Sequence, residues 1–240
     1  KEGVDLSEYD IEDRYDYNND GNYFEPDGII DTIILVHAGR GEEWWEGGSL
    51  GKDAIWPFRG KMSYYNETEA PHEVKDKDGK TIIKAEDFIM VEQDAPLGLV
   101  AHEFGHNLEL PDLYGSEEPV QNWTVMSGGS YNGKIIGSTP NGLGAYCREE
   151  LQERYGGNWQ KQHVIDLEDI GREGVDITLD AAGAQEVETD AVRINLPEKV
   201  TVIAEPTSGE YMYFGGKGNN LNNIMTFSDL DLSVVDAVYE

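Results

Sequence analysis

The chain is poor in several things, and each shortage excludes something. A single cysteine, Cys147, stands among 240 residues, so no intrachain disulfide can form and the fold must be held by packing, by metals, or by both. The lack of a disulfide framework leaves the compartment open. Basic residues are scarce, 18 Lys+Arg against 48 Asp+Glu, for a formal net charge of −30. That balance excludes nucleic acid and anionic membrane surfaces as partners, because both need a basic footprint. No run of about 18 apolar residues occurs, so no segment reads as a membrane-spanning helix. Lys1 to Asp13 is charged and has no signal-peptide apolar stretch. With no initiating Met either, the chain reads as a processed or excised piece of something longer.

Enough apolar material is present for a real core, at 38% hydrophobic residues, and the length corresponds to one or two domains. Acid runs through the whole chain, so pattern has to mark the boundaries. Ile29 to Ala38 is β-branched and almost unbroken, which predicts a buried strand. Gly39 to Gly51 reads as a loop. Thr81 to Val91 is a second strand after the turn signal Asp78-Gly79. From Pro96 to Leu110 the apolar positions recur at three-to-four spacing, predicting a helix with Asp94 as N-cap and Pro111 as its stop. A second helix is predicted over Leu143 to Tyr155, ending at Gly156-Gly157. Beyond about residue 162 the texture changes to short alternating stretches, Val175 to Leu179 and Ala191 to Leu196, which read as strands of a β domain. Leu232 to Val238 is another, so that domain reads as incomplete.

The strongest signal lies in the first helix, at His102-Glu103-Phe104-Gly105-His106. Two of only five histidines stand at i and i+4, about one turn apart on one helix face, where both imidazoles can address a single cation. Glu103, beside the first of them, is placed to take a proton from a metal-bound water attacking a carbonyl. The bland alternative, two histidines on a solvated face, fits the helical context less well. A catalytic zinc usually has a third protein ligand. Asp112, six residues after His106, has the spacing at which metzincin-type proteins return a His or Asp to the metal after a sharp turn. Glu149 or Glu150 on the second helix is the rival, as in thermolysin-type sites. Trp123 to Gly129 favours Asp112, because it forms a small-residue turn around Met126 that can support such a metal from below. Taken alone, Met126 reads as an ordinary core residue.

Val100 to Asp112, then Glu118-Pro119-Val120 and Trp123 to Tyr131, resemble the immune inhibitor A metallopeptidases of secreting bacteria. Val36-His37-Ala38-Gly39, Asp53-Ala54-Ile55-Trp56 and Val192 to Pro197 are similar as well, and Tyr213 to Gly218 resembles the start of that family's β-sandwich. The resemblance implies a secreted, extracellular zinc endopeptidase made as a zymogen, whose own propeptide is absent here, acting on protein or peptide substrates. The family usually has Gly where this chain has Glu109. Gly there suits a left-handed residue that turns the chain toward the third ligand, and Glu in that conformation is strained by roughly 1 kcal/mol or more. Either this turn has another geometry or the third ligand changes.

A second cation site is predicted near the start. Asp16-Tyr17-Asn18-Asn19-Asp20-Gly21-Asn22, closed by Asp27 at position 12, follows the oxygen-ligand pattern of a calcium loop, with Asp in place of the usual Glu. Asp16, Asn18, Asp20, Asn22 and Asp27 are the candidate ligands, and an acidic surface turn is the alternative. Asp31 reads as an extra ligand or a strand-edge residue. Tyr131 is a candidate donor to the oxyanion formed during peptide hydrolysis, or else an aromatic cleft wall. His37 reads as a satisfied core histidine, and Cys147 as a small packed hydrophobe.

The fold expected is an α/β (α+β) metzincin-like zinc peptidase domain over residues 1–160, with the calcium loop at its start and part of a β-sandwich over 161–240. The −30 charge favours cationic substrates through steering that fades with salt. The function expected is zinc-dependent peptide-bond hydrolysis. The alternative is a calcium-stabilised extracellular binding or adhesion module with a vestigial metal site.

Overall fold

The computed structural model describes residues 4–44, 51–115, 120–170, 174–181 and 188–196, with two short strands at 211–213 and 224–226. They form a mixed α/β structure of few helices and small sheets. The chain divides into two units, Lys1–Pro111 with Ser130–Pro140 and Asp112–Gly129 with Asn141–Glu240.

In the first unit, six strands build two three-stranded sheets. They are β1 (Ile29–Ile30), β2 (Ile33–His37), β3 (Phe58–Lys61), β4 (His72–Lys75), β5 (Thr81–Ala85) and β6 (Asp87–Glu92). The sheet orders are β1-β5-β4 and β2-β6-β3. β1 pairs with β5 and β2 with β6 in parallel, while β3 and β4 close the other sides antiparallel.

Each strand expected as one piece, over 29–38 and over 81–91, is therefore two, and a polar residue breaks each. The Asp31 N–H donates to the Tyr9 carbonyl at 3.0 Å, and its carboxylate accepts the N–H groups of Ile11 and Glu12 at 3.1 Å each. With its hydrogen bonds committed outside the ladder, Asp31 lets the chain pass from one sheet to the other. Glu86 does the same between β5 and β6: its carbonyl accepts the Met62 N–H at 2.8 Å and its carboxylate the Ser63 N–H at 3.1 Å.

Burial centres on β6, where Phe88, Ile89 and Val91 are buried, each side chain contributing roughly 1.5–3 kcal/mol. β2 departs from the expected buried strand. It lies at the sheet edge, and Ile34 and Val36 are exposed.

The helix α1 (Leu97–Asn107) follows β6 and packs on β6 and β3. Its start corrects the expected N-cap. The Ala95 N–H turns back onto the Glu92 carbonyl at 3.1 Å, which leaves Asp94 too early, and the cap is Pro96, with extended backbone and no side-chain bond. Gly98 is required here, since a Cβ would stand 1.9 Å from the Ser130 carbonyl oxygen. That close approach lets the Gly98 N–H reach the Gly137 carbonyl at 2.9 Å, fixing the 130–140 segment against the start of α1.

The second unit holds α2 (Ala145–Tyr155), the parallel pair β7 (Gln162–Asp166) and β8 (Ala191–Asn195), and the antiparallel pair β9 (Tyr211–Tyr213) and β10 (Ile224–Thr226). α2 starts two residues later than expected, after Gly144, and stops as expected at Gly156 and Gly157, both with positive φ. It buries Cys147 and Leu151. Arg148 on α2 pairs with Asp190 at 2.5 Å, and Asp190 also accepts the Lys161 N–H at 2.8 Å, which ties the helix to the entrances of β7 and β8. The strand expected over Val175 to Leu179 is irregular, because no described strand pairs with it. Leu232 to Val238, and the family-like run after Tyr213, lie outside the described residues.

Candidate metal centre

The site grows from the last turns of α1. His102 and Glu103 are buried and His106 half-buried. The Nε2 atoms of His102 and His106 face each other at 3.2 Å. Ligands bound at zinc distances in a tetrahedral shell stand about 3.3 Å apart, so the pair already has the required spacing. Nδ1 of His106 lies 2.8 Å from the Leu110 carbonyl oxygen. An N–H at Nδ1 therefore donates to that carbonyl and leaves the Nε2 lone pair for a cation.

The chain then turns sharply. The Leu110 N–H reaches back to the Gly105 carbonyl at 3.1 Å and the Glu109 N–H to the His106 carbonyl at 2.9 Å, the hydrogen-bond pair of a Schellman motif with Glu109 as its left-handed residue. Glu109 has φ 63°. The turn thus keeps the left-handed geometry in spite of its Glu, and it, rather than Pro111, ends the helix. The same turn presents the Leu110 carbonyl to His106 and carries Asp112 back toward the histidines. His102, His106 and Asp112 offer ligand atoms that all lie within 4.8 Å of one another, and no other group of three or more His, Cys, Asp or Glu does so among the described residues. Two imidazole nitrogens and one carboxylate oxygen are a donor set suited to zinc. The rivals are engaged elsewhere: Glu149 pairs with Arg193 at 2.5 Å, and the Glu150 carboxylate bonds to Tyr146. Met126 is fully buried, and its carbonyl accepts the Leu113 N–H at 2.8 Å, next to Asp112 in the chain.

Two further acids stand near Glu103. Burial and the neighbouring Glu92 push Glu43 up to about 7, with Glu103 adding to the shift. Tyr131 is raised above its ordinary value by burial and by the charges of Glu43, Glu103 and Glu92, so its hydroxyl stays a proton donor. Sequence reasoning named Tyr131 and neither of these acids. The signal for Glu92 was an acid closing the apolar run Phe88 to Val91; for Glu43 there was none.

The N-terminal loop folds around its own amides. Asp16 accepts from the N–H groups of Asp20 at 2.9 Å and Gly21 at 3.2 Å, Asn18 from Asp20 at 2.9 Å, Asp20 from Asn22 at 2.7 Å, and Asn22 from Phe24 at 3.2 Å. Glu25 takes the side-chain amides of Asn18 and Asn22. Asp27 accepts the Ile29 N–H at 2.7 Å, and burial, with the nearby charges of Asp10, Asp13 and Asp31, raises it to about 6. His37 lies with Nδ1 against the Ala38 carbonyl. Burial drives the Cys147 thiol up to about 12, the behaviour of a packed hydrophobe.

Residues 1–160 match the catalytic domain of the immune inhibitor A peptidases, M6. The chain belongs to the immune inhibitor A peptidase M6 family. Among curated relatives, Immune inhibitor A of Bacillus thuringiensis subsp. alesti is 39% identical over 241 residues, covering 96% of this chain and 34% of the relative. The Pre-pro-metalloprotease PrtV of Vibrio cholerae serotype O1 (strain M66-2) is 36% identical over 228 residues, 93% of this chain and 25% of the relative. The chain thus spans about a third and a quarter of these relatives. Membership in a metallopeptidase family implies a catalytic metal, and it gives no support to a binding module with a lapsed site. No helix among the described residues is long and apolar enough to cross a membrane.

Proposed function

We propose that this chain is the catalytic part of a secreted, extracellular zinc endopeptidase. Residues 1–160 are its metzincin-like catalytic domain, and 161–240 begin a β-sandwich. The observation that carries this reading is the convergence of His102, His106 and Asp112 within 4.8 Å, with the buried carboxylate of Glu103 one residue from the first ligand. His102, His106 and Asp112 would hold the zinc, which when bound would supply Lewis acidity toward the scissile carbonyl and toward a water.

The remaining work falls to the protein. Glu103 takes the proton of the attacking water and returns it to the leaving amine. Its burial keeps bulk water from competing for that proton. Tyr131, kept protonated, donates to the oxyanion. Glu92 and the partly ionised Glu43 add negative charge beside Glu103, which fits cationic peptide substrates and agrees in sign with the −30 of the chain. Calcium at Asp16, Asn18, Asp20, Asn22 and Asp27 would steady the N-terminal loop, and a propeptide would cover the cleft before activation.

The test is hydrolysis of denatured casein by the chain and by Glu103→Ala, each after zinc reconstitution with calcium present. Loss of cleavage in the variant with zinc still bound at one equivalent supports the assignment. Zinc bound in both with cleavage in neither rejects it for this chain.

A further inference from the structure

Thr32, in the short link between β1 and β2, uses every hydrogen bond its hydroxyl can make. A hydroxyl has one donor and two acceptor positions. Thr32 Oγ1 donates to the Asp31 carbonyl at 2.7 Å and accepts from Asn107 Nδ2 at 3.2 Å and from Arg14 Nη2 at 3.4 Å. Asn107 is fully buried and Arg14 nearly so. The three residues come from three separate stretches of the first unit: the N-terminal segment, the sheet link and the end of α1.

Asn107 directly follows His106, whose ring is oriented by the Leu110 carbonyl. The start of α1 is fixed by its short connection from β6, with the Ala95 N–H on Glu92. Its other end, where the metal-facing turn begins, is joined to the sheet link through Asn107 and Thr32. Asp31, the neighbour of Thr32, meanwhile holds the Ile11 and Glu12 amides, so the N-terminal segment is stitched to the same point.

We propose that Asn107 is a positioning residue for the metal centre, and that Thr32 and Arg14 complete a buried relay fixing the last turn of α1 and hence the His106 ring. The relay does not touch substrate. It acts through His106, as outer partners of metal ligands do when they set ligand orientation. Without the Thr32 hydroxyl, two buried donors on Asn107 and Arg14 lose their shared acceptor, and the helix end is free to shift.

The inference rests on the zinc-site reading above, and the experiment separates the two. Zinc affinity is measured by competition with a chromophoric chelator, and the visible spectrum is recorded after cobalt substitution, on the wild-type chain, Thr32→Val, Thr32→Ser and the core control Ile83→Val in the other sheet. Thr32→Val is expected to weaken zinc about tenfold, within the range for outer partners, and to alter the cobalt bands. Thr32→Ser and Ile83→Val are expected to keep both. Equal affinity and equal spectra in Thr32→Val and Ile83→Val overturn the relay. Should Thr32→Val not fold, Arg14→Gln, which takes the guanidinium away from both Thr32 and Glu12 and leaves the Asn107 bond to Thr32 in place, is judged by the same comparison. A wild-type chain that does not bind one equivalent of zinc overturns the zinc-site reading and the relay with it.

Discussion

The left-handed Glu109 makes the backbone of the metal-binding turn testable apart from its chemistry. At φ 63° a residue with a Cβ carries roughly 1–2 kcal/mol of strain. Glycine avoids that strain but loses about 0.5–1 kcal/mol through greater freedom in the unfolded chain. Replacing Glu109 also removes a charge that acts on Tyr15, so wild type against Glu109→Gly mixes two effects. Glu109→Ala removes the same carboxylate and keeps the strain. The difference between Gly and Ala therefore isolates the backbone. Glu109→Gly should exceed Glu109→Ala by about 0.5–1 kcal/mol, or roughly 1–4 °C in midpoint for a chain of this size. The assay is thermal unfolding of the metal-free chain followed by circular dichroism. Because both variants keep the turn, zinc affinity should match between them. A Gly variant no more stable than the Ala variant refutes the reasoning, since the turn would then not be strained at Glu109.

Asp112→Ala should weaken zinc by more than tenfold in chelator competition, whereas Glu149→Ala should leave it unchanged; the reverse result would move the third ligand to α2. Tyr131→Phe should lower kcat on a peptide substrate by about 10²–10³ with little change in KM, the signature of a lost oxyanion donor, and an unchanged kcat would return Tyr131 to the cleft wall. Glu43 has a folded-state pKa of about 7 against an ordinary 4.5, so the folded state holds the extra proton between those values and stability falls as pH rises through that window. Glu43→Gln should flatten the fall in a series of unfolding midpoints on the metal-free chain, and an unaltered slope would show that Glu43 does not titrate there. Cys147 should resist alkylation in the folded chain and react fully in denaturant, because its thiol is buried and raised to about 12; rapid labelling of the folded chain would contradict its packing.

The parts of this molecule that could be read from sequence are those set by local spacing. His102 and His106 share a helix face because four residues make about one turn, and no tertiary information was needed to see it. Asp112 was nearly as legible, since a six-residue return leaves little freedom once the helix has stopped. Where the reading failed, a single polar residue had redirected the chain through partners far away in sequence. Asp31 and Glu86 each interrupt what looks like one strand, and each does so by bonding a segment some twenty residues distant. Side-chain period cannot report such partners, and so two sheets read as continuous strands. The exposure of Ile34 and Val36 has the same origin, because an edge position is a property of the sheet and not of the strand. Glu92 and Asn107 escaped notice for a related reason. Both end regular elements, both are buried, and a sequence shows them only as polar residues at the close of apolar runs. In a chain with 48 acids, an acid at the end of a strand draws no notice. What separates Glu92 from the rest is the company it keeps with Glu43 and Glu103 across the fold, and the stability of the metal-free chain should register that company as a dependence on pH.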